Sequence, residues 1–282
     1  MYLWPNKIFN MKTHRLFLST FLLSFLILIS CQEDKIIETG TVTSQDYIFA
    51  ENLFNDVGRI VEDAFYDNGE SKTCPSYTLM NADTSDMDTI IVDFGDGIPD
   101  DCLSYGKERR GKIIITYTGK YRDSLSVITT TFDHYYINDN CIQGTRIVTN
   151  NGRNSNGNVN YTIEIIDASI SGNGTIHWGS IRNREWIEGF STFDNPFDDK
   201  YIITGAASGN SSSGQNFEID ITEDLYVNLS CFSKNTCIIT SGQVELIPEG
   251  FSNRTINYGD KGSCDCNFSV TLNGNEYFIV VN

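Results

Sequence analysis

Asn160-Tyr161-Thr162-Ile163-Glu164-Ile165 alternates polar and apolar side chains at every step. A strand turns successive side chains to opposite faces, so Tyr161, Ile163 and Ile165 share one face and Asn160, Thr162 and Glu164 the other. One apolar and one polar face is what an antiparallel sheet needs when it covers a core on one side only. Working outward, strand-like runs recur at 88–94, 112–118, 125–136, 144–150, 158–170, 174–179, 182–192, 200–206, 215–222, 225–231, 237–246, 253–258, 267–273 and 276–281. Turns such as Asn150-Asn151-Gly152, Ser171-Gly172-Asn173-Gly174 and Asn273-Gly274 separate many of them. Connections this short join antiparallel neighbours, so the expected sheet is a meander.

Residues 47–66 break the pattern. Phe49, Leu53, Val57, Ile60, Val61 and Ala64 recur at helical spacing, Ser44 or Asp46 stands where an N-cap is needed, and Asp67-Asn68-Gly69 ends the run. The apolar stripe must cover something, and a sheet face is the natural partner. The expected fold class is mainly β: antiparallel meandering sheet or sheets, with one N-terminal amphipathic helix packed on a sheet face.

The N-terminus has a different character. Lys12, His14 and Arg15 precede an apolar run from Leu16 to Ile29, and Leu28-Ile29-Ser30-Cys31 leads straight into Gln32-Glu33-Asp34. A basic segment, a short apolar stretch and a small residue before the cut make a secretory signal. The run falls short of the roughly 20 residues of a membrane-spanning helix, and acids rather than Lys or Arg follow it. The arrangement resembles a bacterial lipoprotein signal peptide with its lipobox. That resemblance implies cleavage before Cys31 and a lipid on its thiol, anchoring the chain at about 0.8 kcal/mol per buried CH₂. An ordinary signal peptide, with Cys31 present by chance, is the rival reading. Met11 is the more natural start of such a signal, because Trp4-Pro5-Asn6 adds nothing to it. Residues 1–30 are then signal, 31–46 a lipidated tether and 47–282 a β-rich domain outside the cytoplasm. Gln32-Glu33-Asp34-Lys35 is similar to the export tag of Bacteroidetes surface lipoproteins, although a generic polar tether would look the same.

Cleavage removes Lys7, Lys12 and Arg15 from the 20 basic residues and none of the 37 acids, leaving 17 bases to 37 acids. So acidic a surface repels nucleic acid and anionic headgroups, so no nucleic-acid partner is expected and membrane contact falls to the lipid on Cys31.

Seven cysteines follow Cys31: Cys74, Cys102, Cys141, Cys231, Cys237, Cys264 and Cys266. In an exported chain they read first as disulfides, and their odd number leaves at least one free in a monomer. Zinc is less well served, because Cys264-Asp265-Cys266 is C-x-C with no second knuckle or His cluster beside it. A weak internal repeat, about 71–119 and 233–282, suggests pairs. Ser71-Lys72-Thr73-Cys74 returns as Ser233-Lys234-Asn235-Thr236-Cys237. Val92-Asp93-Phe94-Gly95-Asp96-Gly97 before Cys102 returns as Ile256-Asn257-Tyr258-Gly259-Asp260-Lys261 before Cys264. Equivalent positions pair Cys74 with Cys102 and Cys237 with Cys264, with Cys231–Cys266 a candidate third bond and Cys141 left over.

Asp93, Asp96, Asp100 and Asp101 make an acidic loop able to offer carboxylates to Ca²⁺, the one cofactor considered. An EF-hand loop needs acids at positions 1, 3 and 5 before Gly at 6. With Gly97 at 6, Val92 and Phe94 fall at 1 and 3, and an acid-rich turn is the simpler account. Asp194-Asn195-Pro196-Phe197-Asp198-Asp199 is a second acidic turn. Trp178, Arg182, Arg184 and Trp186 form the most unusual cluster. Arg beside Trp suits a carboxylate, phosphate or sugar; Arg stems packed on aromatics across strands are the plainer reading. The mature chain has only His134 and His177 and no Gly-x-Ser-x-Gly, so no catalytic residue is assigned. Carboxylate pairs for glycoside hydrolysis are too numerous to choose among.

Asp88-Thr89-Ile90 and Asp123-Ser124-Leu125 resemble the Asp-Ser/Thr-apolar O-glycosylation acceptor of Bacteroidetes, which implies Thr89 and Ser124 as modification sites. The mature chain as a whole resembles uncharacterised Bacteroidetes lipoproteins. The features shared are Cys31, Phe94-Gly95-Asp96-Gly97 before a Cys, Gly144-Thr145-Arg146, Trp178 to Trp186, and Tyr258-Gly259-Asp260 with Cys264-Asp265. That implies an outer-membrane or cell-surface lipoprotein of the envelope and carries no activity with it. The expected role is a non-catalytic binding or structural module, with a glycan or protein as ligand and a sheet face as its surface. A carbohydrate-active enzyme or glycan-binding accessory protein is the alternative.

Overall fold

The computed structural model describes residues 40–66, 74–80, 87–98, 101–192, 195–234 and 236–280. The signal, Cys31 and the export-tag residues lie outside the described residues, as do Asp100 and Asp194. Helix α1 spans Val42–Tyr66, so residues 42–46, expected to be tether, are helical. After it come β1 (Ser76–Met80), β2 (Asp88–Asp93), β3 (Cys102–Ser104), β4 (Lys107–Tyr117), β5 (Val127–Ile137), β6 (Asn140–Arg153) and β7 (Val159–Gly172). The second half supplies β8 (Gly174–Glu188), β9 (Lys200–Asn210), β10 (Asn216–Asn228), β11 (Ile239–Pro248), β12 (Arg254–Asn257), β13 (Asn267–Leu272) and β14 (Asn275–Val280). All belong to one antiparallel sheet of 14 strands in chain order. The short β3 is the exception, lying beyond β2 along the same edge of β4. This is the mainly β meander with a single N-terminal helix that the alternation predicts. Two expected pairs of runs merge, 174–179 with 182–192 in β8 and 215–222 with 225–231 in β10, because no Gly-Asn turn stands between them.

A meander this wide must bend to enclose a core, and a line of bulges bends it. Register shifts interrupt the β4–β5, β5–β6, β6–β7, β7–β8, β9–β10 and β10–β11 pairings. At or beside them Gly111, His134, Gly144, Asp167, Gly205 and Gly242 take left-handed backbone conformations. A bulge adds one residue, kinks its strand and reverses the facing of every side chain beyond it. In β5 the buried positions are Ile128 and Thr130 before the bulge, Tyr135 and Ile137 after it. In β7 they are Val159, Tyr161, Ile163 and Ile165 before, Ala168 and Ile170 after. The apolar pattern slips by one where the backbone does, so the bend and the core agree. At Gly144 φ is +114°, and a Cβ would lie 2.5 Å from the Ala168 Cα, which leaves only glycine.

The bent sheet wraps α1. Phe65 meets Tyr117 of β4 with ring centroids 5.0 Å apart, Phe54 meets Phe132 of β5 at 6.4 Å, and Tyr47 meets Trp178 of β8 at 5.5 Å. The Tyr258 hydroxyl, just past β12, donates to that of Tyr47 at 3.0 Å. The helix is consequently buried on more than its apolar stripe: Glu51, Asp56 and Arg59 are buried too. Burial of the acids is tolerable because cations meet them. Asp56 pairs with Arg109 at 2.8 Å and Lys107 at 3.1 Å, and Glu51 with Arg182 at 3.2 Å. Neither expected cap serves the helix. The Asp46 carboxylate instead accepts from the Ser212 backbone N–H and hydroxyl at 2.7 and 2.8 Å, while the Ser44 hydroxyl is buried.

Cys74–Cys102 forms as the repeat predicts, and Cys141 is the free cysteine. The other two bonds exchange partners: Cys231–Cys264 and Cys237–Cys266 replace Cys237–Cys264 and Cys231–Cys266. The first bond spans 28 residues and Cys237–Cys266 spans 29, so in the repeat Cys266, and not Cys264, is the counterpart of Cys102. The turn before it does recur: the Asp93 side chain accepts from the Gly95 N–H at 2.9 Å, and Asn257 from the Gly259 N–H at 2.8 Å.

Candidate binding cleft

β8 alternates from Ile176 to Trp186, its register shift against β9 falling only beyond Trp186, and turns Trp178, Arg182, Arg184 and Trp186 inward, each at most 6% exposed. These four residues do not form a surface platform. Arg182 reaches Glu51; Arg184 reaches Glu62 at 3.4 Å and lies 3.5 Å over the Tyr201 ring. The two tryptophans sit in separate aromatic groups, about 26 Å apart along the strand at 3.3 Å per residue. Trp186 packs on Tyr201 at 5.3 Å and donates its indole N–H to the Glu188 carbonyl at 2.6 Å. Arg184 thus packs on an aromatic ring, and both arginines meet acids of α1.

The acidic loop is engaged residue by residue. Asp93 also pairs with Lys112 at 3.1 Å, Asp96 accepts from the Ile98 N–H at 3.1 Å, and Asp101 pairs with Arg110 at 3.1 Å. Among the described residues no three His, Cys, Asp or Glu side chains gather as a metal site. Ser124 stands on an exposed turn, whereas Thr89 is half-buried in β2 between Met80 and Thr116.

Instead of a sheet face, the structure presents a cleft of about 320 Å³ over α1. Phe49, Asn52, Asp56 and Arg59 form its floor, spaced three or four apart so that they share one side of the helix. Tyr105 and Lys107 from the β3–β4 hairpin wall one flank, and Phe232 with the Cys237–Cys266 bond wall the other. The Arg59 guanidinium lies 3.4 Å over the Tyr105 ring and 4.6 Å from that of Phe232. Tyr105 donates its hydroxyl to Asp63; burial and that hydrogen bond push its phenol pKa up. Burial pushes the Asp56 carboxyl up as well, but Arg109 and Lys107 outweigh it and hold the group below the usual carboxylate range.

Asn52 and Asn55 line this cleft, and their amide nitrogens are buried without a hydrogen-bond acceptor. An unmet buried donor costs about 1–3 kcal/mol, which a ligand oxygen would recover. Among the described residues Asp56 is the one carboxylate in the lining, and two cations already hold it. A polar stripe at Asn52, Asn55 and Arg59 is visible in the sequence, but it is indistinguishable there from the solvated side of an amphipathic helix. Comparison with known proteins found no family model, no curated protein and no solved structure that matches this chain.

Proposed function

We propose that this protein is a lipid-anchored component of the bacterial cell envelope, held on the outer membrane through Cys31. It acts as a non-catalytic binding module whose ligand enters the cleft over α1. The unpartnered amide donors of Asn52 and Asn55 carry this reading. Beside them, Phe49, Tyr105 and Phe232 offer apolar surface and Arg59 a cation. A short glycan, with hydroxyl oxygens for the amides and an apolar ring face for the aromatics, meets that chemistry. The reading moves the ligand from the sheet face to the cleft and gives the enzyme alternative no carboxylate pair to work with.

A glycan library screened against the full-length protein tests it. Asn52→Leu combined with Asn55→Leu should weaken any hit at least tenfold, about 1.4 kcal/mol. Undiminished binding would remove the cleft from consideration. The anchor is separable: Cys31→Ser should abolish membrane partitioning and fatty-acid labelling, and normal partitioning by that variant would refute it.

A further inference from the structure

Beside the cleft lies a second cavity, about 40 Å³, between α1 and the inner faces of β6 to β10. Arg146 of β6 and Arg182 and Arg184 of β8 line it, each more than nine-tenths buried. Two of the three meet an acid of α1: Arg182 with Glu51 and Arg184 with Glu62. Among the described residues Arg146 has neither a hydrogen bond nor an ion pair. Its guanidinium rests against the helix at Gly58, where an added Cβ would stand 3.2 Å from Nη2. Arg182 and Arg184 also keep buried donors unused: Nε and Nη1 of the first, Nε of the second.

Three cations therefore face two carboxylates in the interior of a chain whose net charge is −17. Arginine does not discharge by losing its proton, and a buried charge without a counter-charge costs several kcal/mol. Glu51 and Glu62 are the acids of the lining, and Asp199 is not part of it.

We propose that this cavity binds one small oxyanion, of phosphate or sulfate size, held by Arg146 and the spare donors of Arg182 and Arg184. Guanidinium forks match the oxygen edges of a tetrahedral anion. The volume exceeds the roughly 10–15 Å³ that a single water requires. Asn55, Arg59, Phe232 and Ile238 line both this cavity and the cleft, so the two adjoin. Bound there, it ties β6 to β8 across the cavity. The site stands whether or not the cleft takes a glycan.

The test uses purified full-length protein in a buffer whose anion, gluconate, is too bulky to enter. Phosphate and sulfate are titrated in at constant ionic strength while thermal unfolding and binding heat are followed. One ion per chain should bind, with an unfolding midpoint that rises and then saturates. Arg146→Met should unfold cooperatively and lose the response; Arg146→Lys, which keeps a charge but not the fork, should bind at least tenfold more weakly. Absence of a saturable response in the wild type overturns the proposal, as does an undiminished response in Arg146→Met. If neither Arg146 variant folds, Ser180→Val occupies the cavity wall without removing a charge and must abolish binding; a retained response then overturns it.

Discussion

Asp56 and Arg109 show what a charge requires inside this molecule. Arg109 is fully buried; it pairs with Asp56 and donates to the Tyr135 hydroxyl at 2.7 Å and to the Ser104 carbonyl at 3.3 Å. Removing one member of a buried pair strands the other, which typically costs about 3–5 kcal/mol. Asp56→Ala should lose about that much in urea unfolding, and Asp56→Ala with Arg109→Leu should recover part of it. Because the folded Asp56 pKa is depressed, its contribution is present above the ordinary carboxylate pKa and disappears as pH falls through the folded value. Asp199 works in the opposite sense. Burial pushes its carboxyl up to about 7, although the Tyr201 hydroxyl donates to it at 3.1 Å. Between about pH 4 and 7 the folded state holds a proton that the unfolded state has released, so this residue lowers stability as pH rises through that window. Asp199→Asn should raise the unfolding midpoint at pH 8 and leave it nearly unchanged at pH 4. Equal effects at both pH values would show that the carboxyl titrates normally. None of this was legible in the sequence, where Asp199 is the last acid of a turn and Asp56 one polar residue among several on a helix.

The strands carry a pattern that a strict count of alternation misses. Tyr161, Ile163 and Ile165 are correctly placed on one face, but the same face continues through Ala168 and Ile170, of opposite parity. The slip marks the bulge, and neighbouring strands repeat it in line, so the bend belongs to the sheet and not to any one strand. Gly144→Ala, with no relaxed backbone conformation and a clash against β7, should cost about 2 kcal/mol or more by denaturant unfolding. A loss below 0.5 kcal/mol, the scale of an ordinary surface change, would mean the bulge is not required there. Disulfide mapping is the matching test at the chain ends. Peptides should contain Cys231 joined to Cys264 and Cys237 joined to Cys266, and removal of the second bond should cost about 3–4 kcal/mol. A Cys237–Cys264 peptide would restore the simpler repeat.

At the scale of the molecule, α1 is the core around which the sheet closes. It buries nine apolar side chains, from Tyr47 and Ile48 to Val61 and Ala64. At about 1.5–3 kcal/mol for each large one, their loss exceeds the 5–15 kcal/mol net stability of a typical domain. A chain beginning at residue 40 should unfold cooperatively, and one beginning after Tyr66 should lose its near-ultraviolet dichroism. Retained tertiary signal in the shorter chain would show that the sheet closes without the helix.

By itself the sequence determined the elements and their order. Alternation at Tyr161 to Ile165, Gly-Asn turns and the spacing of Leu53, Val57 and Ile60 are local signals, each readable within a few residues. The bond between Cys74 and Cys102 was legible too, because the repeat preserved its loop. Only the tertiary structure decided which way β8 faces, which cysteines meet near the C-terminus and where a ligand enters. Those outcomes depend on parity slips accumulated across many strands and on the closing of two sheet flanks over one helix. The same Trp178, Arg182, Arg184 and Trp186 that suit an exposed sugar platform in the sequence become, once the sheet bends, part of a buried wall whose arginines face acids of α1.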